Sequence, residues 1–167
     1  VFRLRDRRAF GAAFAFGSLL VPFCFGAVAG AIATGRVPAG WRTGDPVDSW
    51  INPTSLLGGV LAVVSVAYLA SVYLVFDARR TDDAEMVEYF IRRARAAAVV
   101  AGVVALVGIA VIHADAPYLF DGLTSRALPL VVLSAIGGLG SLVLLHGGAH
   151  GFARLAAVGA VGGIVLA

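Results

Sequence analysis

Residues 48–63 read DSWINPTSLLGGVLAV, and their character changes at the midpoint. The first half is polar and turn-like, whereas from Ser55 the chain turns apolar and stays so to Phe76. Each residue of the junction has a use where a helix starts. Asn52 is a favoured N-cap, because its side-chain carbonyl accepts an amide hydrogen from the first turn. Pro53 suits the first helical position, where no N–H is needed. Trp50 joins an apolar ring to a polar N–H and favours the boundary between lipid and water. The stretch predicts a helix that starts near Pro53 and enters a membrane from its Trp50 end.

Composition extends that reading to the whole chain. The 167 residues are 60% hydrophobic and 14% charged, with a mean hydropathy of +0.93. Soluble domains carry about 25% charged residues. With so few charges, water cannot solvate this much apolar surface, and lipid must. Spanning a bilayer takes roughly 20 apolar residues. Runs 9–34, 55–76, 96–112 and 127–145 meet that length. A fifth run, 155–167, would cover only about 20 Å as a helix, short of the roughly 30 Å hydrocarbon core. The predicted fold is an all-α polytopic transmembrane helix bundle, a single transmembrane domain with four complete spans and a shortened fifth. Because the chain opens on Val1 and closes within an apolar run, it reads as an internal fragment of a longer membrane protein.

The net charge of +3 raises the question of nucleic acid. Its distribution argues against it, since the arginines cluster at the ends of apolar runs. Arg3, Arg5, Arg7 and Arg8 precede the first run; Arg79, Arg80, Arg92, Arg93 and Arg95 follow the second. The opposite loops are poorer, with Arg36 and Arg42 near Asp45 and Asp48, and Arg126 with Asp115 and Asp121. The positive-inside rule then makes the N-terminus and residues 77–95 cytoplasmic. Within that loop, Asp82 with Glu85 three residues on resembles a capping box, and Glu88 and Arg92 have the spacing of an i,i+4 pair. A continuous helix from about Asp82 into the third span is predicted.

Chemistry-bearing residues are sparse. The four long runs contain no Asp, Glu, Lys, Arg or His. Ionisable groups inside spans are the usual mark of proton relays and transport sites. Their absence speaks against a small transporter segment and leaves a membrane anchor or assembly protein as the plainer alternative to a subunit of a larger enzyme. Cys24 sits in an apolar run, where a lone Cys ordinarily acts as a small core residue. His146 and His150 are four apart, but two intervening glycines disfavour the helix that would align them as metal ligands. His113 and Asp115 end the third run, at the outer face. No catalytic, cofactor-binding or metal-binding residue is assigned. Gly26 with Gly30, and Gly159 with Gly163, have the four-residue spacing that lets helix backbones approach closely in lipid. Gly137 with Ser141 and Gly58 with Ala62 repeat it. Pro22 removes a backbone hydrogen bond and predicts a kink in the first span, read as structural ahead of the alternative that it lines a lipid or quinone groove.

Three stretches resemble one family. WINPTSLLGGVLAVVSVAYLASVYLVFDARR (50–80), followed by a short acidic-then-basic helix, is similar to subunit II of the cytochrome bd-type quinol oxidases. DAPYLFDGLTSRALPLVVLSAIGGLGSLVLL (115–145) and FRLRDRRAFGAAFAFGSLLVPFCFGAVAGAIATGRVP (2–38) resemble the same subunit. The resemblance implies a heterodimeric terminal oxidase of the bacterial cytoplasmic (inner) membrane, oxidising quinol from the quinone pool and reducing dioxygen to water. Haems b and d are then expected in the partner, subunit I. Subunit II holds no haem, stabilises subunit I and, in some members, binds a structural quinone. Trp50, Asn52, Pro53, Asp115 and Pro117 match the family pattern and read as a structural motif at the outer membrane face. No proton-path residue is carried over, because the acidic residue used in some members lies on helices that precede this stretch of the family.

Overall fold

In hydrocarbon, backbone N–H and C=O groups have no partners but one another, so apolar runs of this length fold as helices. The computed structural model describes residues 4–38, 40, 44, 45, 47–146, 156 and 158–162. Its elements are α1 (Leu4–Ala33), α2 (Pro53–Arg80), α3 (Ala84–Asp115), α4 (Pro117–Ser125) and α5 (Leu128–His146), with residues 156 and 158–162 also helical. No strand occurs among the described residues. α1, α2 and α3 are each long and apolar enough to cross a membrane. α4 and the first part of α5 pass the same test as a pair bent by 76°. The chain is an all-α polytopic helix bundle.

Two compact units, Val1–Val63 and Val64–Ala167, meet within α2. In the first, α1 lies against the opening turns of α2. α1 runs unbroken through Pro22 and closes with Gly35 at φ 71°, whose N–H donates to Ile32 O at 3.0 Å. Glycine takes that left-handed conformation without a Cβ penalty. The other side of α1 is apolar and open: Phe10, Phe14, Phe25 and Ile32 are 57–79% exposed. In water that surface would be untenable, whereas lipid tails solvate it.

In the second unit, the end of α2 and the start of α3 form an antiparallel hairpin. Tyr68 and Val72 of α2 and Ala94 of α3 are buried together, with Leu69, Ala97, Ala98 and Val161 packed against them. The connection is short because one set of hydrogen bonds both ends α2 and begins α3. Asp83 N–H donates to Ala78 O and Asp82 N–H to Arg79 O, each at 3.2 Å, the six-to-one and five-to-two bonds of a Schellman motif. Asp82 occupies its left-handed position at φ 53°. The Asp83 side chain then accepts from Met86 N–H at 3.0 Å and caps α3.

Two expectations are corrected here. The cap of α3 is Asp83 and not Asp82, because Asp82 is held in the turn that closes α2. Residues 117–125 read as loop, yet they form α4. Pro117 stands at its first turn, and Leu119, Phe120 and Leu123 lie half-buried on one side. The His113 ring meets Phe120 edge-on at 4.6 Å. The fourth apolar run folds as α5, close to its expected 127–145 bounds. Of the fifth run only 156 and 158–162 are described. There Ser134 of α5 donates to Ala160 O at 2.7 Å, and a Cβ on Gly137 would stand 3.0 Å from Ala156 O.

Candidate functional site

The junction of 48–63 is built by a chain of short-range hydrogen bonds. The Asp45 carboxylate accepts from the N–H groups of Val47 and Asp48, each at 2.8 Å, and folds the chain back on itself. Those bonds, Asp48's first and Val47's second, hold its pKa below the ordinary carboxylate value. Trp50 N–H donates to Val47 O at 3.0 Å, and its ring is 43% exposed at the start of α2. Asn52 is buried, its side-chain oxygen accepts from Ser55 N–H at 2.8 Å, and its amide donates to Ser49 O at 3.4 Å. Pro53 opens α2 as its first residue.

Ser55 links this cap to α1. Its hydroxyl lies 2.8 Å from Trp50 O and 2.9 Å from Ala27 O, a shared donor between the loop and the neighbouring helix. Beside it, glycines remove the side chains that would keep the backbones apart. A Cβ on Gly30 would stand 2.7 Å from Thr54 O. On Gly26 it would meet Gly58 O and lie 2.5 Å from the Ala62 Cβ. On Gly59 it would strike the Phe23 ring at 2.6 Å. α1 and α2 therefore meet backbone to backbone along Gly26, Gly30, Gly58 and Gly59.

The other singled-out motif residues belong to the second unit. Asp115 is half-buried in the last turn of α3, and Pro117 stands two residues on, exposed at the start of α4. A Cβ on Gly159 would meet nothing within 4 Å, and the close approach of its segment to α5 runs through Ala156 and Ala160. Gly163 and His150 lie outside the described residues, as does the side chain of His146. Ser55, Gly59 and Ser134 were not singled out from sequence. For Ser55 a signal existed: a small hydroxyl in the first turn of an otherwise apolar helix.

An all-helical chain whose long helices are apolar and whose polar groups gather at helix ends is an integral, multi-pass membrane protein. The family model for cytochrome bd terminal oxidase subunit II matches residues 2–167, and the chain belongs to that family. It is thus a subunit of a quinol oxidase complex of the respiratory chain. No curated protein and no solved structure matches the chain.

The family's complexes contain haem. Haem iron needs an axial His, Cys, Met or Tyr ligand inside an apolar pocket. His113 is exposed at the end of α3 beside Phe120, Met86 sits in the charged first turns of α3, and Cys24 is exposed on α1. Among the described residues no three His, Cys, Asp or Glu side chains gather. These residues do not fit a haem pocket, and no chemical step is assigned to such a group on this chain.

Proposed function

We propose that this chain is the haem-free subunit II whose helices pack against and stabilise the haem-bearing subunit I of a bacterial quinol:oxygen oxidoreductase. In this reading quinol from the membrane pool is oxidised and dioxygen reduced to water on the partner, where haems b and d supply the redox chemistry. This chain supplies apolar helix surface and holds no catalytic centre. The complex sits in the cytoplasmic membrane, with the arginine-rich N-terminal segment and residues 77–95 on the cytoplasmic side. Trp50, Asn52, Pro53, Asp115 and Pro117 then lie at the outer face, where they start α2 and α4.

The observation that carries the reading is the absence of any Asp, Glu, Lys, Arg or His from the runs 9–34, 55–76, 96–112 and 127–145. Spans without these groups offer no imidazole ligand and no carboxylate to carry a proton, which supports a packing role in an oxidase. An affinity tag on this chain tests it. A haem-bearing membrane protein is expected to co-purify in constant ratio, and recovery of the chain without one would refute the reading.

A further inference from the structure

Hydropathy ends the second span at Phe76, but the hairpin's register sets a different boundary. Tyr68, Leu69 and Val72 of α2 cluster with Ala94, Ala97 and Ala98 of α3. The antiparallel pairing therefore brings Arg92, Arg93 and Arg95 of α3 level with residues 71–74 of α2, several residues inside the second apolar run. Helix lengths agree with a lipid boundary there. At 1.5 Å per residue, residues 53–71 of α2 cover about 28 Å and residues 95–115 of α3 about 31 Å, against a hydrocarbon core of about 30 Å. The remaining turns, from 72 on α2 to 94 on α3, extend beyond the hydrocarbon.

At that boundary two guanidinium groups reach toward the hairpin tip, as helical side chains lean toward the N-terminus and as long cations do at a membrane surface. Arg93 stacks 4.4 Å over the Tyr89 ring, and Arg92 lies 4.0 Å from the Glu88 carboxylate. Arg92 and Glu88 are 69% and 73% exposed, so their pairing is weak and exchangeable. The opposing α2 residues, 71–76, are uncharged. The acids Asp83 and Glu85 lie about 12–15 Å further along the helix axis from Arg93, beyond a physiological Debye length of about 8 Å. Arg92, Arg93 and Arg95 cluster at the lipid boundary, and beyond them Arg79 and Arg80 in the last turn of α2 stand among the acids Asp77, Asp82, Asp83 and Glu85.

We propose that Arg92 and Arg93 form a binding site for the phosphodiester of an anionic phospholipid, which holds the α2–α3 hairpin upright at the membrane surface. A lipid is the occupant that fits, because the cations stand at headgroup depth with apolar helix directly below them for acyl chains. The phosphate takes one guanidinium from Glu88 and the other from above the Tyr89 ring.

The test uses the assembled complex in nanodiscs of phosphatidylcholine with phosphatidylglycerol, reading the retained lipids by native mass spectrometry. The wild-type complex is expected to enrich phosphatidylglycerol, and R92Q/R93Q to lose that preference by about tenfold, since each arginine near the surface adds to the attraction. R92K/R93K, which keeps the charge, and R126Q, at the C-terminal end of α4, are expected to retain it. Equal enrichment in R92Q/R93Q and wild type would overturn the proposal, as would loss in the lysine pair. Displacement of the lipid by soluble glycerol phosphate would also overturn it, because the site would then be one for free anions.

Discussion

Gly26 and Gly17 lie on the same helix and differ in what surrounds them. A side chain on Gly26 would run into the Gly58 carbonyl, and one on Gly17 meets nothing within 4 Å. Gly26→Leu is therefore expected to force the α1–α2 seam apart, at a cost of about 1–3 kcal/mol or more. Gly17→Leu is expected to be close to neutral. Thermal unfolding of the detergent-solubilised complex separates the two, and equal midpoints would show that the seam does not depend on backbone contact. Asp45 makes a pH prediction. Its pKa is lowered by N–H donation from Asp48 and Val47, so the turn gains stability above the ordinary carboxylate value of 3.8 and loses it as pH falls through the lowered pKa. Amide protection at Val47 and Asp48 should collapse on that acid limb, and Asp45→Asn should remove the pH dependence.

The adjacent Asp82 and Asp83 serve two elements, and the same residue type has opposite value in each. Asp82 carries a φ of 53° that glycine adopts at lower cost, so Asp82→Gly should stabilise the hairpin by up to about 1 kcal/mol. Asp83 caps α3, so Asp83→Ala should destabilise it by about 1 kcal/mol. Opposite shifts in unfolding midpoint are expected, and shifts of the same sign would contradict the turn. Sequence favoured Asp82, which alone has a Glu three residues on, and only the closure of α2 shows that Asp83 is the cap. Asn52 and Pro53 were legible, because an N-cap and a first-turn proline act within four residues. α4 was not, because its nine residues depend on contact between Phe120 and His113, and short helices are unstable by themselves. Ser55 was visible as a small polar residue, but its bond to Ala27 required knowing which helix lies beside α2.

At the scale of the whole molecule, apolar run length and charge placement made the helical membrane fold legible. Lipid leaves the backbone no alternative once a run reaches spanning length. The contact faces were less legible, since a chain rich in glycine offers many four-residue spacings and only some meet a neighbour. Gly26 and Gly30 face α2, whereas Gly159 has open space beside it. Function followed from a family pattern spread over residues 2–167, with no local motif sufficient to carry it. On the proposed reading, these charge-free spans serve an oxidase by holding its haem-bearing partner. The most direct measurement is a dithionite-reduced minus oxidised absorbance spectrum of membranes with and without the gene for this chain. Loss of the haem d band on deletion, with recovery on complementation, is the predicted result. An unchanged haem d band in the deletion strain would contradict the claim.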